Sequence, residues 1–304
     1  MKRIKFLILI LFFVNSLYSY YREKFIKEWS ICEKIEYGEI NWSDGIIKVI
    51  GKAELPKIID KNLIKEESED FAINLAEARL KAFKKAEEKA FESLFAALHN
   101  IRIYDEYFFL YYLQKSETEF NFNFENFVRE NMIEKKIYNP DKSVSVEITL
   151  KLFGEKGLLN IFNSNDNLFF FNSTNFSLSL ASSSNEFTVV PQEYTSIIVD
   201  AKDIKGYFPS LSPSIVDEEG NLIYSSKFVY KESAIKKGIV QYISDEKYLD
   251  KIDFVDEKAF LLKGIKLGKN CTEIVIPTYI KSQLFSSEKT FKHLKNCNVV
   301  IITR

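Results

Sequence analysis

The chain holds two histidines, His99 and His293, and three cysteines, Cys32, Cys271 and Cys297. Neither histidine stands in an H-E-x-x-H or other zinc spacing, and no C-x-x-C accompanies them. Each falls toward the end of a helical pattern, where a cation complements the helix dipole. The run GIKLGKN (264–270) superficially suggests a phosphate loop. That motif needs four residues between its glycines and Ser or Thr after Lys. Here three residues separate Gly264 from Gly268 and Asn270 follows Lys269, so a turn is expected. No G-x-S-x-G elbow occurs. Asp200, Asp203 and the Asp217–Glu219 cluster are the carboxylate groupings to test as a cation site. They lack the alternating spacing of a calcium loop, and Asp217–Glu219 is expected to be a solvated turn. The expectation is a non-enzyme with no catalytic residue, no metal ligand and no cofactor.

Cys271 and Cys297 each stand just before a short β-branched run, EIVIP and NVVIIT, with a helical stretch between them. A strand–helix–strand unit places such strands parallel and close to one another. Two readings follow: a Cys271–Cys297 disulfide across matching strand ends, or two separate buried thiols.

The elements that would carry these residues begin after a leader. MKRIKFLILILFFVNSLYS has a basic start, an apolar run Phe6–Val14 and small residues suited to cleavage. A spanning helix needs roughly 20 apolar residues, so residues 1–19 are expected to be a signal peptide. The protein is expected outside the cytoplasm, periplasmic or associated with the outer envelope. A formal net charge of −1 with 28% charged residues argues against a nucleic-acid partner, which selects a strongly basic face. At 304 residues, two domains are expected.

The most regular stretch is NLAEARLKAFKKAEEKAFESLFAALHNIRI (74–103). At 100° per residue, Leu75, Leu80, Ala82, Phe83, Ala86, Ala90, Leu94 and Leu98 share one half of a helix. Lysines and glutamates take the other half, with Ser68 or Asp70 as candidate caps. Alanine is too small for a coiled-coil seam, and the stretch lacks the bulk and excess cations of a lipid-surface helix. Small side chains instead permit close approach to the protein's own sheet. Arg79 falls within the apolar half, where a structural role is expected: its stem buries while the guanidinium reaches outward.

GIIKVIGKAELP (45–56) predicts a strand before this helix, and 131–152 predicts a hairpin turning at Asn139–Lys142. The stretch preceding them, up to residue 40, predicts a short helix or irregular chain. The expected first domain, 38–153, is therefore α+β: a long helix packed on an antiparallel sheet. Residues 104–127 are dense in Tyr and Phe. Tyr107, Phe108, Phe109, Tyr111 and Tyr112 are a candidate interface, because aromatics are enriched in interface cores; closing the N-terminal core is the other reading. The Asn/Ser-rich stretch 154–190 predicts a linker or excursion. Residues 191–304 predict a C-terminal α/β domain with a partly parallel sheet.

GIIKVIGKAELP followed by AEARLKAFKKAEEKAFESLFAAL resembles the twenty-kilodalton surface lipoprotein family, a pattern shared by exported flagellar accessory proteins. Gly51-Lys52-Ala53 matches that family's Gly-x-Ala strand element and Ala78-Arg79 its Ala-Arg helix pair. The segments LKLFGEKGL, YTSIIVDAKD, LSPSIVDEEGNLIY and KKGIVQYISD look like exported bacterial proteins that carry this helix ahead of an α/β domain. The lipid-attachment cysteine is missing here. The resemblance implies a non-catalytic envelope protein with envelope or flagellar proteins as partners and a peripheral envelope association. Its expected role is that of a scaffold or assembly factor; a periplasmic binding module for cell-wall glycan or a small ligand is the alternative.

Overall fold

The structure, a computed structural model, describes residues 28–60, 70–105, 107–109, 111, 118–163 and 192–304. The expected signal peptide at 1–19, Tyr112 and most of the Asn/Ser-rich stretch lie outside these residues.

The fold is α+β. A five-stranded antiparallel sheet in the order β1-β2-β3-β9-β8 opens the chain. It comprises β1 (Cys32–Ile35), β2 (Gly38–Asn41), β3 (Ile46–Ala53), β8 (Ile133–Tyr138) and β9 (Val144–Lys151). Two short parallel strands, β4 (Lys57–Ile58) and β5 (Phe71–Ala72), lead into the long helix α1 (Leu75–His99). A small hairpin, β6 (Arg102–Tyr104) and β7 (Tyr107–Phe108), and helix α2 (Thr118–Asn131) complete this half. The stretch up to residue 40, expected as a helix or irregular chain, is instead the β1–β2 hairpin. Its four-residue strands are too short for periodicity to show.

Packing explains α1. Its buried face holds Ala78, Ala82, Ala86, Ala90 and Ala97 with Phe83, Phe91, Leu94 and Leu98. Below it, β3 buries Ile47, Val49, Gly51 and Ala53, while β9 buries Val144, Val146, Ile148 and Leu150. Helix and strand are in close contact at Gly51, where a Cβ would stand 2.0 Å from Ala86 O and 2.4 Å from Ala90 N. The alanine ridge is therefore internal, pressed onto β3. Leu75 and Leu80 depart from the expected half. Leu80, about 120° around the helix from Ala86, is 72% exposed, and Leu75 sits in the first turn at 45%. The cap is also Asn74 rather than Ser68 or Asp70: its Oδ1 accepts from Glu77 N at 2.9 Å. Glu77 returns the bond by accepting from Ile73 N at 3.0 Å, so two orphan donors are satisfied.

The C-terminal half is built on two four-stranded sheets. One is wholly parallel in the order β13-β17-β10-β14, from β10 (Ser196–Asp200), β13 (Gln241–Ile243), β14 (Ala259–Lys263) and β17 (Val299–Ile302). The other runs β12-β11-β16-β15, from β11 (Ser214–Asp217), β12 (Leu222–Tyr224), β15 (Lys266–Leu267) and β16 (Glu273–Ile276). Its central pair is parallel and its outer pairs antiparallel. Helices α3 (Lys231–Lys237), α4 (Ile280–Leu284) and α5 (Glu288–Lys295) are short. α4 and α5 replace the single helix expected between the last two strands.

One contiguous hydrophobic core runs from Ile31 in the first half to Ile301 in the second. Trp42 meets Tyr242 edge-to-face across this seam, with centroids 6.3 Å apart. Ser244 N donates to Trp29 O at 3.1 Å, and Gly154 N donates to Ile235 O at 2.6 Å. Leu158 and Leu159, in the 3-10 turn Leu158–Asn163, are buried in the same core. Among the described residues, no helix is long and apolar enough to cross a membrane.

Candidate functional site

The aromatic stretch after α1 is where the two halves are stitched together. β6 and β7 form a hairpin that turns at Asp105, whose φ of 51° lies in the left-handed region that Asp tolerates better than most residues. The C-terminal half grips this hairpin along its backbone. Leu211 N donates to Arg102 O at 2.9 Å and Ser212 N to Ile103 O at 2.8 Å. At the tip, Asp105 N donates to Thr272 Oγ1 at 2.9 Å, and the Cys271 thiol lies 3.7 Å from Asp105 O. Thr272 is itself held by donating to Asn270 Oδ1 at 3.0 Å. A two-stranded hairpin alone is marginal in water, so its order comes from these bonds and from buried Ile103.

That scaffold presents rings. Tyr104 and Tyr107 are cross-strand neighbours with rings stacked at 5.2 Å and 15°. Tyr107 continues to Tyr111 at 6.2 Å. Tyr104 and Tyr111 are exposed, at 41% and 49%. Beside them the Arg102 guanidinium lies 4.7 Å over the exposed ring of Phe208 and 5.3 Å over Phe108. Its Nη1 donates to Pro209 O at 3.4 Å, and its Nε is buried without a hydrogen-bond partner. A guanidinium held between rings offers cation–π attraction on a rigid base. The surface supplies flat apolar faces, phenol hydroxyls and one positive charge, which suits binding.

Of the candidate interface residues, Tyr107, Phe108 and Tyr111 reach this surface. Phe109 does not: it is fully buried and packs on Phe124 of α2 at 5.4 Å. Helical geometry after β7 turns it inward. Arg102 and Phe208 were missed, whereas Tyr104 opens the 104–127 stretch but stands apart from its densest run. Arg102 precedes that stretch, and Phe208 comes from a segment distant in sequence.

Of the two readings of Cys271 and Cys297, separate thiols hold and the disulfide does not, since both are free. β16 and β17 belong to different sheets, so the two cysteines precede strands that are not neighbours. Cys271 is half-buried near the aromatic hairpin. Cys297 is buried, with φ 59°, and burial pushes its thiol up to about 12. Arg79 is exposed, with its guanidinium 5.2 Å over the Tyr138 ring at the end of β8. Its partner is an aromatic face.

Asp217, expected in a solvated turn, is instead buried. Its Oδ1 accepts from Glu219 N at 3.0 Å and Asn221 N at 2.7 Å, and its Oδ2 from Asn221 Nδ2 at 2.8 Å, so it is the hub of the β11–β12 turn. Asp200 and Asp203 lie at the carboxyl end of β10, where parallel sheets often take ligands. Ion pairs occupy the place: Lys202 with Asp245 at 3.3 Å and with Asp200 at 3.9 Å, and Lys263 with Asp203 at 2.8 Å. Among the described residues, no group of three His, Cys, Asp or Glu could hold a metal ion. His99 ends α1 and His293 lies in the last turn of α5.

Residues 196–304, from the first residue of β10 to the last residue of the chain, match the family described as Treponema pallidum Tp0624, second domain. No curated protein matches the chain.

Proposed function

We propose that this chain is an exported, non-catalytic component of a bacterial cell envelope that works as a scaffold or assembly factor. A partner protein would dock on the Tyr104–Tyr107–Tyr111 surface with Arg102 and Phe208 at its side. One observation carries the reading: stacked, partly exposed rings sit on a hairpin immobilised by both halves. Rigid Tyr and Arg anchors are the residues that dominate binding energy at protein interfaces, and a fixed scaffold lowers the ordering cost. The leader-like residues 1–19 support a place outside the cytoplasm. Envelope or flagellar proteins are the partner class, on the resemblance stated above.

In-cell cross-linking after fractionation tests this. A specific cross-linked envelope partner is expected with the native chain, and its loss with the double variant Tyr104→Ala/Tyr111→Ala. A freely soluble monomer without a partner would overturn the reading. The near-parallel Tyr104–Tyr107 pair also favours a second reading, a module that stacks a sugar ring from cell-wall glycan. Retention of the pure protein on isolated wall material, lost in the same variant, would select it.

A further inference from the structure

The antiparallel sheet of the first half ends in two different edges. At one, β1 has four residues, three of them half-buried. At the other, β8 has six, and five are exposed, Ile133 and Tyr138 among them. Asn139 N donates to Ser143 O at 3.0 Å, which fixes the alternation of bonds between β8 and β9. Ile133, Lys135 and Ile137 turn their backbone groups toward β9, so Glu134, Lys136 and Tyr138 turn theirs away. No hydrogen bond between described residues takes those outward N–H and C=O groups.

Charge is the usual guard of such an edge, because it discourages a second strand. Here the order of the charges makes the guard selective. Glu134 and Lys136 share the α1 face of the sheet, where they pair at 3.3 Å and the Lys136 ammonium lies 5.9 Å from the Phe83 ring centre. Lys135 and the two isoleucines share the other face. Only residues with outward backbone groups can form bonded pairs with a twin strand, so an antiparallel register can slide only in steps that pair them with one another. One such register sets Glu134 of each copy opposite Lys136 of the other. The registers on either side of it fail, since one opposes Lys136 to Lys136 and the other opposes Glu134 to Glu134. In the complementary register Ile133 faces the second copy's Ile137, and Lys135 meets its twin at the two-fold axis. Glu147, opposite Lys135 on β9, offsets that last repulsion.

We propose that β8 pairs with β8 of a second copy of this chain, antiparallel, with Glu134 of each copy opposite Lys136 of the other. Two five-stranded sheets are thereby joined edge to edge. Main-chain bonds hold the pair and the four alternating charges choose its register. The contact is small, in the transient class below about 1,200 Å². A dimer carries two aromatic hairpins, so a partner with paired sites gains avidity. No residue of the aromatic surface takes part, so the pairing stands or falls separately from the docking reading above.

Sedimentation velocity on the full chain from about 1 μM to 1 mM tests it. Reversible dimer formation that weakens with salt is expected. Lys136→Glu and Glu134→Lys should each weaken the dimer roughly tenfold, since two cross-strand pairs reverse sign at once. The double variant Glu134→Lys/Lys136→Glu should restore it, and the two single variants, mixed, should prefer each other to themselves. Both residues are exposed, so circular dichroism should show the variants folded. Lys135→Cys, at the two-fold axis, should form an intermolecular disulfide on mild oxidation, whereas Ile133→Cys should not. A monomer at every concentration would overturn the proposal. So would a dimer that survives both single reversals, or one lost in Tyr104→Ala/Tyr111→Ala, because the contact would then lie elsewhere. A double variant as weak as the single ones would overturn this register.

Discussion

The two halves are stabilised in different ways. In the first, one long helix lies on neighbouring antiparallel strands, and Gly51 lets it approach close at Ala86 and Ala90. In the second, short strands distant in sequence pair in parallel: β10 lies between β17 and β14, each separated from it by at least fifty residues. The first half shows its packing in side-chain size along a single element. The second hides it in pairings that no local window contains, and it concentrates polar groups in its interior. Tyr207, Tyr224, Tyr242 and Cys297 are all buried there, with Tyr224 donating to Ile239 O at 2.5 Å and Tyr242 to Ser210 O at 3.0 Å.

Alkali should break this comparison most completely. Burial raises the Cys297 thiol from 9.0 to about 12 and the Tyr242 hydroxyl from 10.0 to about 12, and pushes Tyr207 and Tyr224 well above their ordinary value. Groups raised in the folded state stabilise it fully below their ordinary values and cease to do so as pH rises through the folded ones. Circular dichroism should therefore show unfolding between about pH 9 and 12, with the second half's tyrosines ionising as it opens. Acid acts less strongly and on both halves, since Asp203, Asp245 and Asp256 of the second are also lowered by their hydrogen-bond partners. Glu77 is lowered by the Ile73 N–H and then by Lys81, and Asp141 by Lys52 and then Ser143. Both contribute above the ordinary carboxylate range, and both contributions fade as pH falls through it.

Trp42→Ala removes the ring that meets Tyr242 across the seam. It should cost about 3–5 kcal/mol in urea unfolding. Because the core is contiguous, one transition should shift as a whole; two separated transitions would show that the halves fold independently. Gly51→Ala should cost about 1–3 kcal/mol, since the atoms its Cβ meets are helix backbone that cannot rotate aside. Asn74→Ala, which strips the cap of α1, should cost about 1 kcal/mol. Arg79→Ala should cost about 0.5 kcal/mol, the range of an exposed cation over a ring, and this small value would mark the stacking on Tyr138 as packing support.

Legibility in the sequence followed the range of the interactions. The α1 stripe and the β8–β9 hairpin, with Lys142 at φ 67° in its turn, both showed locally. The β1–β2 hairpin did not, because four-residue strands leave no period to count. Half of the candidate interface was visible as a run of rings, yet Phe109 turned inward while Phe208 arrived from a hundred residues away.

By itself, the sequence determined the long helix α1, the apolar faces of α1 and β3, and the close approach to a sheet that small side chains permit. Those are consequences of side-chain size and backbone period, which act over a few residues. Only the tertiary structure decided that β16 and β17 part into separate sheets and leave Cys271 and Cys297 unbonded. It also decided that Asp217 is buried as the hub of a turn, and that an arginine, three tyrosines and a distant phenylalanine share one surface. These outcomes depend on which strands become neighbours. That is a global competition among many nearly equivalent β-branched runs, and it is resolved only when the whole core closes.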